Sequence, residues 1–432
     1  MHPLLVLMIS FVILIFGGIP ISFSLGLASI ITLLYGGIDL IVFAQYMFTS
    51  LFSFPLLAIP LFICMGILME VTDITSDLIK TMNLVFGRIR GRLGYMNVGT
   101  SMVFAGMSGS AVADTAGVGS ILIPAMKKDG YSPEFSVGLT AASSVIGSII
   151  PPSIFMVVYG AVAQVSIGAL FLGGALPGII VGVTQLVVVF FYIRSHPKVG
   201  LSETGAISTS ATSLARFILP AFIPIIIVGG ILGGIFTATE AAAVSVIYLF
   251  LLFLTVYRKV ITVKKLVQGL LNSAKLLGAI MFCVSTGRIF GWILAYYDLP
   301  DYVSTALIDA NLGPMGFMIL AALFFLFIGT FESGIAAIII FVPILAPISM
   351  AIGVNPIQLG VITTMCIAVG LITPPYGLCL FLASNIGKIT VTRAFRASFI
   401  FLGLFLLIIA LCIFIPDIVL VIPKIVFPHF MA

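Results

Sequence analysis

Two pairs of adjacent prolines lie inside segments that are otherwise apolar enough to cross a membrane, Pro151-Pro152 within 134–163 and Pro374-Pro375 within 357–386. A proline has no backbone N–H, and its ring clashes with the carbonyl four residues earlier. Each pair therefore predicts a membrane helix that is broken into two halves. The breaks remove the helical partners of four carbonyl groups, those of Gly147, Ser148, Gly370 and Leu371.

Backbone oxygens without a partner at membrane depth are costly, and a hard cation such as Na⁺ can satisfy them. Turn-forming strings at 106–110 and 329–334 would lie at the tips of two re-entrant hairpins, each beside the break of its own half of the chain. We therefore predict two related sodium sites. The first would use oxygens of Ala105, Ser110, Gly147, Ile150 and Pro152, and the second those of Gly329, Gly370, Thr373 and Tyr376.

Side chains near the same tips are candidates for binding a substrate. The half-helices that begin after the breaks would point their positive N-terminal ends at the membrane midplane, which favours an anion. Asp114 could instead cap the outgoing hairpin helix, Glu240 is best explained as a first-turn cap, and Arg288 either pairs with an acid or reaches toward the interface. The candidate substrate residues are Ser108, Asp114, Ser153, Glu332 and Ser333.

The chain also contains an internal repeat. An offset of 223 residues aligns Gly106 with Gly329, Pro124 with Pro347, and the two proline pairs with each other. This predicts a first repeat at 1–193, a linker at 194–216, a second repeat at 217–416 and a tail at 417–432.

A single proline pair is equally compatible with a simple kink. Two pairs at matching positions, each with its own Gly/Ser-rich tip, favour a transport site.

Loop charges predict that the two repeats face opposite sides of the membrane. An amphipathic stretch at 74–90 is basic and indicates a cytoplasmic interfacial helix, whereas its counterpart at 298–311 has three Asp and no basic residue. Placing the basic loops inside gives about ten full spans and two hairpins, at about 93–130 and 312–353, with both termini outside. The fold class is then an all-α polytopic membrane protein of two inverted repeats.

Composition excludes several classes of protein. Of 432 residues, 61% are hydrophobic and 8% charged, so the chain cannot form a water-facing surface and is not a soluble enzyme. The net charge of +5 is clustered in loops, which indicates membrane topology and not nucleic-acid binding. The five cysteines form no CxxC pair, and no GxxxxGK[ST] motif for ATP hydrolysis occurs.

Four stretches carry a resemblance that covers essentially the whole chain. They are FAGMSGSAVADTAGVGSILIPAMKKDGY at 104–131, IIPPSIFMVVYG at 149–160, GGIFTATEAAAVSV at 233–246 and LITPPYGLCLFLASNIG at 371–387. The sequence resembles the large membrane subunit (DctM-like) of the TRAP transporters, the tripartite ATP-independent periplasmic transporters. Position 105 is Ala, where Ser is expected in some relatives. If only the backbone carbonyl at this position binds sodium, nothing is lost; if a hydroxyl is needed, the first sodium site is weakened.

The resemblance implies a bacterial inner-membrane protein that uses two or more sodium ions and an elevator motion. It implies a small four-helix membrane subunit, expected here as a separate chain, and a periplasmic substrate-binding protein. The expected function is sodium-driven import of an organic acid such as sialic acid or a C4-dicarboxylate. A self-sufficient sodium–anion symporter of similar fold is the main alternative, and an ion channel is another.

Overall fold

The computed structural model describes residues 2–52, 54–70, 74–200, 216–257, 263–309 and 312–427. These ranges form twenty α-helices, joined by short turns and 3-10 segments, and contain no β-strand. The helices of the first half are α1 Pro3–Phe16, α2 Ile21–Tyr35, α3 Ile41–Thr49, α4 Ala58–Glu70, α5 Ile74–Phe86, α6 Arg92–Ser108, α7 Ala111–Lys128, α8 Pro133–Val145, α9 Ile154–Ala163 and α10 Ile167–Ser195. Those of the second half are α11 Arg216–Leu232, α12 Ala238–Thr255, α13 Val263–Tyr296, α14 Leu299–Asp309, α15 Pro314–Gly329, α16 Gly334–Ala351, α17 Pro356–Gly370, α18 Leu378–Gly387, α19 Val391–Phe414 and α20 Asp417–Val426.

Five of the described helices are long and apolar enough to cross a membrane: α10, α12, α13, α16 and α19. Together with the absence of strands from the described ranges, this confirms an all-α membrane protein. Four of the five are predicted full spans, whereas α16 lies in the predicted second hairpin. Many other apolar helices have 10 to 17 residues, so the count of ten full spans stays a prediction. Parts of the predicted linker (201–215), of a basic loop (258–262) and of the tail (428–432) lie outside the described residues.

Turn chemistry explains where the two predicted hairpins reverse. After α6 the chain turns at Gly109, whose φ of +64° favours glycine, and Ser110 then caps α7 by accepting a hydrogen bond from the Ala113 N–H at 3.3 Å. In the second half, Ser333 caps α16 in the same way, accepting from the Ala336 N–H at 3.3 Å. The backbone groups at both tips are thereby partly satisfied without a longer loop.

The two broken segments supply the most enclosed helices. Every residue of α8 from Phe135 to Val145 is buried, and so is every residue of α17 from Ile357 to Gly370. Helices of the two halves also pack on one another, α18 against α7 and α8, and α9 against α16. The breaks that follow α8 and α17 therefore lie inside the molecule, between elements of both halves.

Two other helices bear on the sequence predictions. The stretch predicted at 74–90 is helical over Ile74–Phe86, and its apolar stripe packs on the protein, with Ile74 and Leu78 buried and Phe86 against Gly99 of α6. The capping role expected for Glu240 is confirmed. Its carboxylate accepts from the Thr237 N–H at 2.8 Å while the Thr237 hydroxyl accepts from the Glu240 N–H at 3.3 Å.

Candidate functional site

The first break begins with a 3-10 turn, Ile146–Ser148, that follows α8. A cis peptide joins Pro151 and Pro152, and the helix resumes at Ile154. Ser153 caps this second half: its hydroxyl accepts from the Met156 N–H at 3.3 Å and donates to the Ser148 carbonyl at 2.5 Å. The Ser153 hydroxyl is thus part of the helix break itself.

The tip of the first hairpin lies directly against this break. The Ile154 N–H points at the Gly109 carbonyl at 3.4 Å, and a methyl group on Gly109 would lie 2.3 Å from the Pro152 carbonyl oxygen. A methyl group on Gly147 would lie 3.4 Å from the Ser110 carbonyl carbon. The structure therefore brings together three of the five residues predicted for the first sodium site, Ser110, Gly147 and Pro152.

The other two residues of that set are placed differently. The Ala105 carbonyl accepts the Gly109 N–H at 3.2 Å, so it lies at the base of the hairpin tip and already has one donor. The side chain of Ile150 packs against α10, where a methyl group on Gly178 would lie 2.5 Å from its Cγ1 atom. Ala105 is joined to the site through Gly109. The Ile150 side chain points toward α10, and the use of its backbone oxygen stays a prediction.

The second break repeats the arrangement with different contacts. A cis peptide joins Pro374 and Pro375, and the Tyr376 N–H donates to the Thr330 carbonyl of the second hairpin tip at 2.8 Å. Gly370 packs so closely on the tip that a methyl group there would lie 2.0 Å from the Gly329 carbonyl oxygen. The structure thus brings Gly329, Gly370 and Tyr376 together.

Most of the carbonyls released at the breaks find partners within the protein. Ser148 accepts from Ser153, and Gly370 accepts the Thr373 N–H at 3.1 Å. The Leu371 carbonyl accepts two N–H groups from the first turn of α18, those of Cys379 at 3.0 Å and Leu380 at 3.3 Å. The expectation that the breaks leave these three carbonyls unpaired is wrong, because the chain rewinds locally around each break. Within the described ranges, Gly147 alone of the four receives no donor.

The Thr373 hydroxyl, predicted as a sodium ligand, donates to the Val369 carbonyl at 2.9 Å. This is the usual back-bond of a threonine in a helix, and it leaves the oxygen lone pairs free to accept. The Thr373 carbonyl accepts the Gly377 N–H at 3.1 Å. Both oxygens of this residue therefore have one protein partner and retain capacity for a cation.

Asp114 lies in the first turn of α7, entirely buried. Neither carboxylate oxygen has a hydrogen-bond partner among the described residues. The hydroxyls of Ser101 and Ser144 lie nearest, but they donate to Ser143 and to the Thr140 carbonyl. Since Ser110 caps α7, the alternative of Asp114 as the helix cap is wrong.

A cavity of about 540 Å³ lies between the two hairpin tips and both breaks. Its wall is mostly apolar, and α2, α4 and α13 contribute to it. The first residues of four helices line it: Ala111 of α7, Ile154 of α9, Gly334 of α16 and Leu378 of α18. The polar residues that line it include Ser22, Ser110, Ser148, Ser333 and Tyr376.

Only some of the candidate substrate residues line this cavity. Ser333 lines it, whereas Ser108, Asp114, Ser153 and Glu332 do not. Ser108 accepts the Ser110 N–H at 3.4 Å, and Glu332 accepts the Ser333 N–H at 3.0 Å, so both shape the tips. Sequence reasoning missed the Gly109 and Thr330 carbonyls, although both lie in the predicted tip strings, and it missed Ser22, for which the sequence offers no signal.

The fold is shared with solved structures of other membrane proteins. Aligned structures include that of MtrF from Neisseria gonorrhoeae, described as illuminating a class of antimetabolite efflux pumps. It has a TM-score of 0.62 and 14% identity over 87% of this chain and 85% of that one. At that identity the similarity concerns the fold alone.

The family follows from the sequence. Residues 8–418 match the profile of the tripartite ATP-independent periplasmic transporter, DctM component, and the chain belongs to that family. The sialic acid TRAP transporter large permease protein SiaM of Vibrio cholerae is 34% identical, with 95% of this chain and 96% of that protein covered. The C4-dicarboxylate TRAP transporter large permease protein DctM of the same organism is also 34% identical, with 92% of each chain covered. The predicted resemblance is confirmed.

Proposed function

We propose that this chain is the large membrane subunit of a sodium-driven importer of an organic acid, such as sialic acid or a C4-dicarboxylate, in a bacterial inner membrane. It acts with a small membrane subunit and a periplasmic substrate-binding protein. Family membership and relatives named for sialic acid and for C4-dicarboxylates support this class of substrate.

The observation that carries the proposal is the meeting of four helix N-termini at one cavity. Several of the first-turn N–H groups are already paired, with the capping serines or with the Gly109 and Leu371 carbonyls. Each N-terminus still carries about half a positive elementary charge from the helix dipole. Four of them around one space favour a carboxylate there, without needing a basic side chain. The apolar remainder of the wall excludes water and so strengthens this attraction.

Sodium would bind where each hairpin tip meets a break. The contacts from Ile154 to Gly109 and from Tyr376 to Thr330 hold two sets of backbone oxygens close together. A cation bound there stabilises the closed tip and offsets the negative charge of the substrate. Binding energy from sodium then favours the loaded state, which moves as one body in an elevator step.

Uptake of radiolabelled sialic acid or succinate into proteoliposomes tests the proposal. We expect uptake only with the small subunit, the loaded binding protein and an inward sodium gradient, and no uptake when potassium replaces sodium. Full uptake without the binding protein would identify the self-sufficient symporter. Sodium-independent uptake at the full rate, or single-channel currents, would exclude the proposed mechanism.

A further inference from the structure

A second cavity, of about 230 Å³, lies beside the first and has a different character. Ile339 of α16 lines both cavities, so they share part of their wall. The wall of the second cavity includes the arginine of α13, Arg288, together with Thr49, Ser50 and Gln164. No acidic residue is among the described residues that line it.

Arg288 has no ion pair or hydrogen bond with any described part of the chain. The ion pairs there join Lys80 to Asp77, Arg393 to Glu134 and Lys424 to Asp417. Its neighbours Gly287, Ile289 and Phe290 along α13 are buried, whereas Arg288 itself is exposed. Ionisable residues within apolar membrane helices are functional candidates by default, and an exposed guanidinium without a protein partner is free to bind an anion. The structure thus maintains an unpaired cation at the wall of a cavity.

The groups around Arg288 match the chemistry of a carboxylate. The guanidinium offers a planar set of N–H donors that bind two carboxylate oxygens at once. The amide of Gln164 is also without a described partner and adds an N–H donor. The hydroxyls of Thr49 and Ser50 already donate to the carbonyls of Gln45 and Met47, so they can accept but not donate.

We propose that Arg288 and Gln164 form an anion-binding station that receives the carboxylate of the substrate before it reaches the cavity between the hairpin tips. The ligand class rests on the proposed function, whereas the station itself rests on the unpaired guanidinium and its cavity.

The position of Arg288 along α13 places the anion-binding station nearer the outer, non-cytoplasmic end of this helix. Lys264 and Lys265 lie at the start of this helix, and Trp292, Tyr296 and Tyr297 lie at its other end. Because basic residues at the end of a membrane helix favour the cytoplasmic side, the start of α13 is predicted to be cytoplasmic and its aromatic end to face outside. At about 1.5 Å per residue, Arg288 lies about 12 Å from Tyr296 and about 36 Å from Lys264. The second cavity is therefore on the side from which a binding protein would deliver substrate.

Close helix packing links the station to the second hairpin. A methyl group on Gly287 would lie 2.8 Å from Cγ2 of Ile339, and one on Gly291 would lie 3.0 Å from Cβ of Pro343. Ile339 and Pro343 belong to α16 and also line the second cavity. An anion held by Arg288 therefore contacts the hairpin that must accept it.

The chain has one tryptophan, Trp292, and it reports on this cavity. Its ring lies 5.1 Å from that of Tyr46, which is part of the cavity wall. Trp292 also follows Arg288 by one helical turn. Fluorescence of the unlabelled chain can therefore follow anion binding without any measurement of transport.

The test uses the full-length chain in nanodiscs, with iodide as an anionic quencher of Trp292 and acrylamide as a neutral one. We expect iodide to quench efficiently and potassium succinate to protect Trp292 more than potassium chloride does at equal ionic strength. Arg288→Gln should raise the succinate concentration for half-protection at least about tenfold, because it removes a charged donor. Acrylamide quenching should not change.

Lys275→Gln is the matched control, since Lys275 is a second cation within α13 that lines neither cavity. It should leave iodide quenching and succinate protection as in the wild type, and Arg288→Lys should keep the iodide effect while weakening succinate protection. Unchanged protection in Arg288→Gln, or equal loss in both Gln variants, would overturn the station. Because no sodium gradient or partner is used, failure of the proposed transport function leaves this result interpretable.

Discussion

The hydroxyls at the tips and breaks serve first as helix caps. Ser110, Ser153 and Ser333 each accept a backbone N–H from the third residue of the following helix. A capping hydroxyl keeps its own proton, so Ser110 and Ser333 can still donate to a carboxylate, whereas Ser153 already donates to the Ser148 carbonyl. The oxygens left for cations are then mainly backbone carbonyls, which every residue type carries. If the proposed first sodium site uses the backbone carbonyl at position 105, Ala there does not remove a ligand.

Gly370→Ala should separate the second break from its hairpin tip, since the added methyl group would lie 2.0 Å from the Gly329 carbonyl oxygen. We expect the apparent sodium affinity to fall at least about tenfold, corresponding to about 1.4 kcal/mol. The measurement is the sodium-dependent rise in apparent Tm of the purified protein, together with uptake. Gly403→Ala is the control, because nothing lies within 4 Å of its added methyl group. Equal sodium dependence in both variants would show that this contact is not part of a sodium site.

Ser153→Ala and Ser153→Gly separate capping from substrate binding. Replacing a capping serine by alanine costs about 1 kcal/mol, whereas glycine costs only a few tenths. If Ser153 only caps α9, the alanine variant should have the lower apparent Tm and the glycine variant should transport almost normally. If the hydroxyl also binds substrate, both variants should show the same rise in the KM of uptake. A KM that is unchanged in both would remove Ser153 from the candidate substrate residues.

At the residue scale the sequence predicts where the tips and breaks lie better than it predicts which groups are hydrogen-bonded there. Glycines and prolines locate the tips and breaks because their effects on backbone shape are local. The partner of the Leu371 carbonyl is the first turn of α18, which depends on how the chain rewinds after the break. Asp114 shows the same limit. Its burial without a partner follows from the packing of α7 among other helices, which its own neighbours in sequence do not specify.

At the scale of elements, not every proline has the same effect. The pairs at 151–152 and 374–375 break their helices, whereas Pro124, Pro177 and Pro343 lie inside continuous helices. Membrane helices tolerate single prolines because neighbouring groups satisfy the released carbonyl. The sequence therefore predicts the double breaks but not the continuity at the single prolines. Nor does it predict the π-helical stretch Ile225–Gly229 within α11.

Gly109→Ala should destabilise the first hairpin tip in two ways, through backbone strain and through a clash of the added methyl group. Gly109 and Gly353 both have φ in the left-handed region, +64° and +84°, so alanine costs roughly 1–2 kcal/mol at either position. Only at Gly109 would the methyl group also meet the Pro152 carbonyl, at 2.3 Å. We expect both variants to lose stability and only Gly109→Ala to lose sodium-dependent uptake. Equal uptake by the two variants would argue against a functional contact between this tip and the break.

Lys127 connects elements of the two halves. Its ammonium donates to the Gly387 carbonyl at 2.9 Å, at the C-terminus of α18, where a cation is favourable. Lys127→Met should therefore lower stability by about 0.3–1 kcal/mol, seen as a lower apparent Tm. Lys128→Met, at the exposed neighbouring position, is the control and should have little effect. A similar shift in both variants would mean that general charge, and not this contact, is responsible.

At the scale of the whole molecule, contacts between helices identify one packed group that contains both breaks and both hairpins. The enclosed helices α8 and α17 pack among α7, α18, α15 and α19, so both breaks and both hairpins share contacts. α13 lines the central cavity and touches the second hairpin through Gly287 and Gly291. In the proposed elevator step the first group moves as one body against α13. The sequence predicts the two halves of the chain through the repeat, but the packing of helices from both halves into one group arises only in three dimensions.

The opposite orientation of the repeats is the remaining prediction, and it can be tested with two exposed positions. Ser195 ends α10 beside Arg194, and Thr305 lies in α14, which has no basic residue in its described range. Of the native cysteines four are buried and Cys64 is half-buried, so background labelling is low. In sealed, right-side-out cells, a membrane-impermeant maleimide should label Thr305→Cys at once and Ser195→Cys only after permeabilisation, because basic loops stay in the cytoplasm. Labelling of both variants from the same side would place the two halves in the same orientation, and the hairpins could then no longer enter from opposite faces toward one cavity.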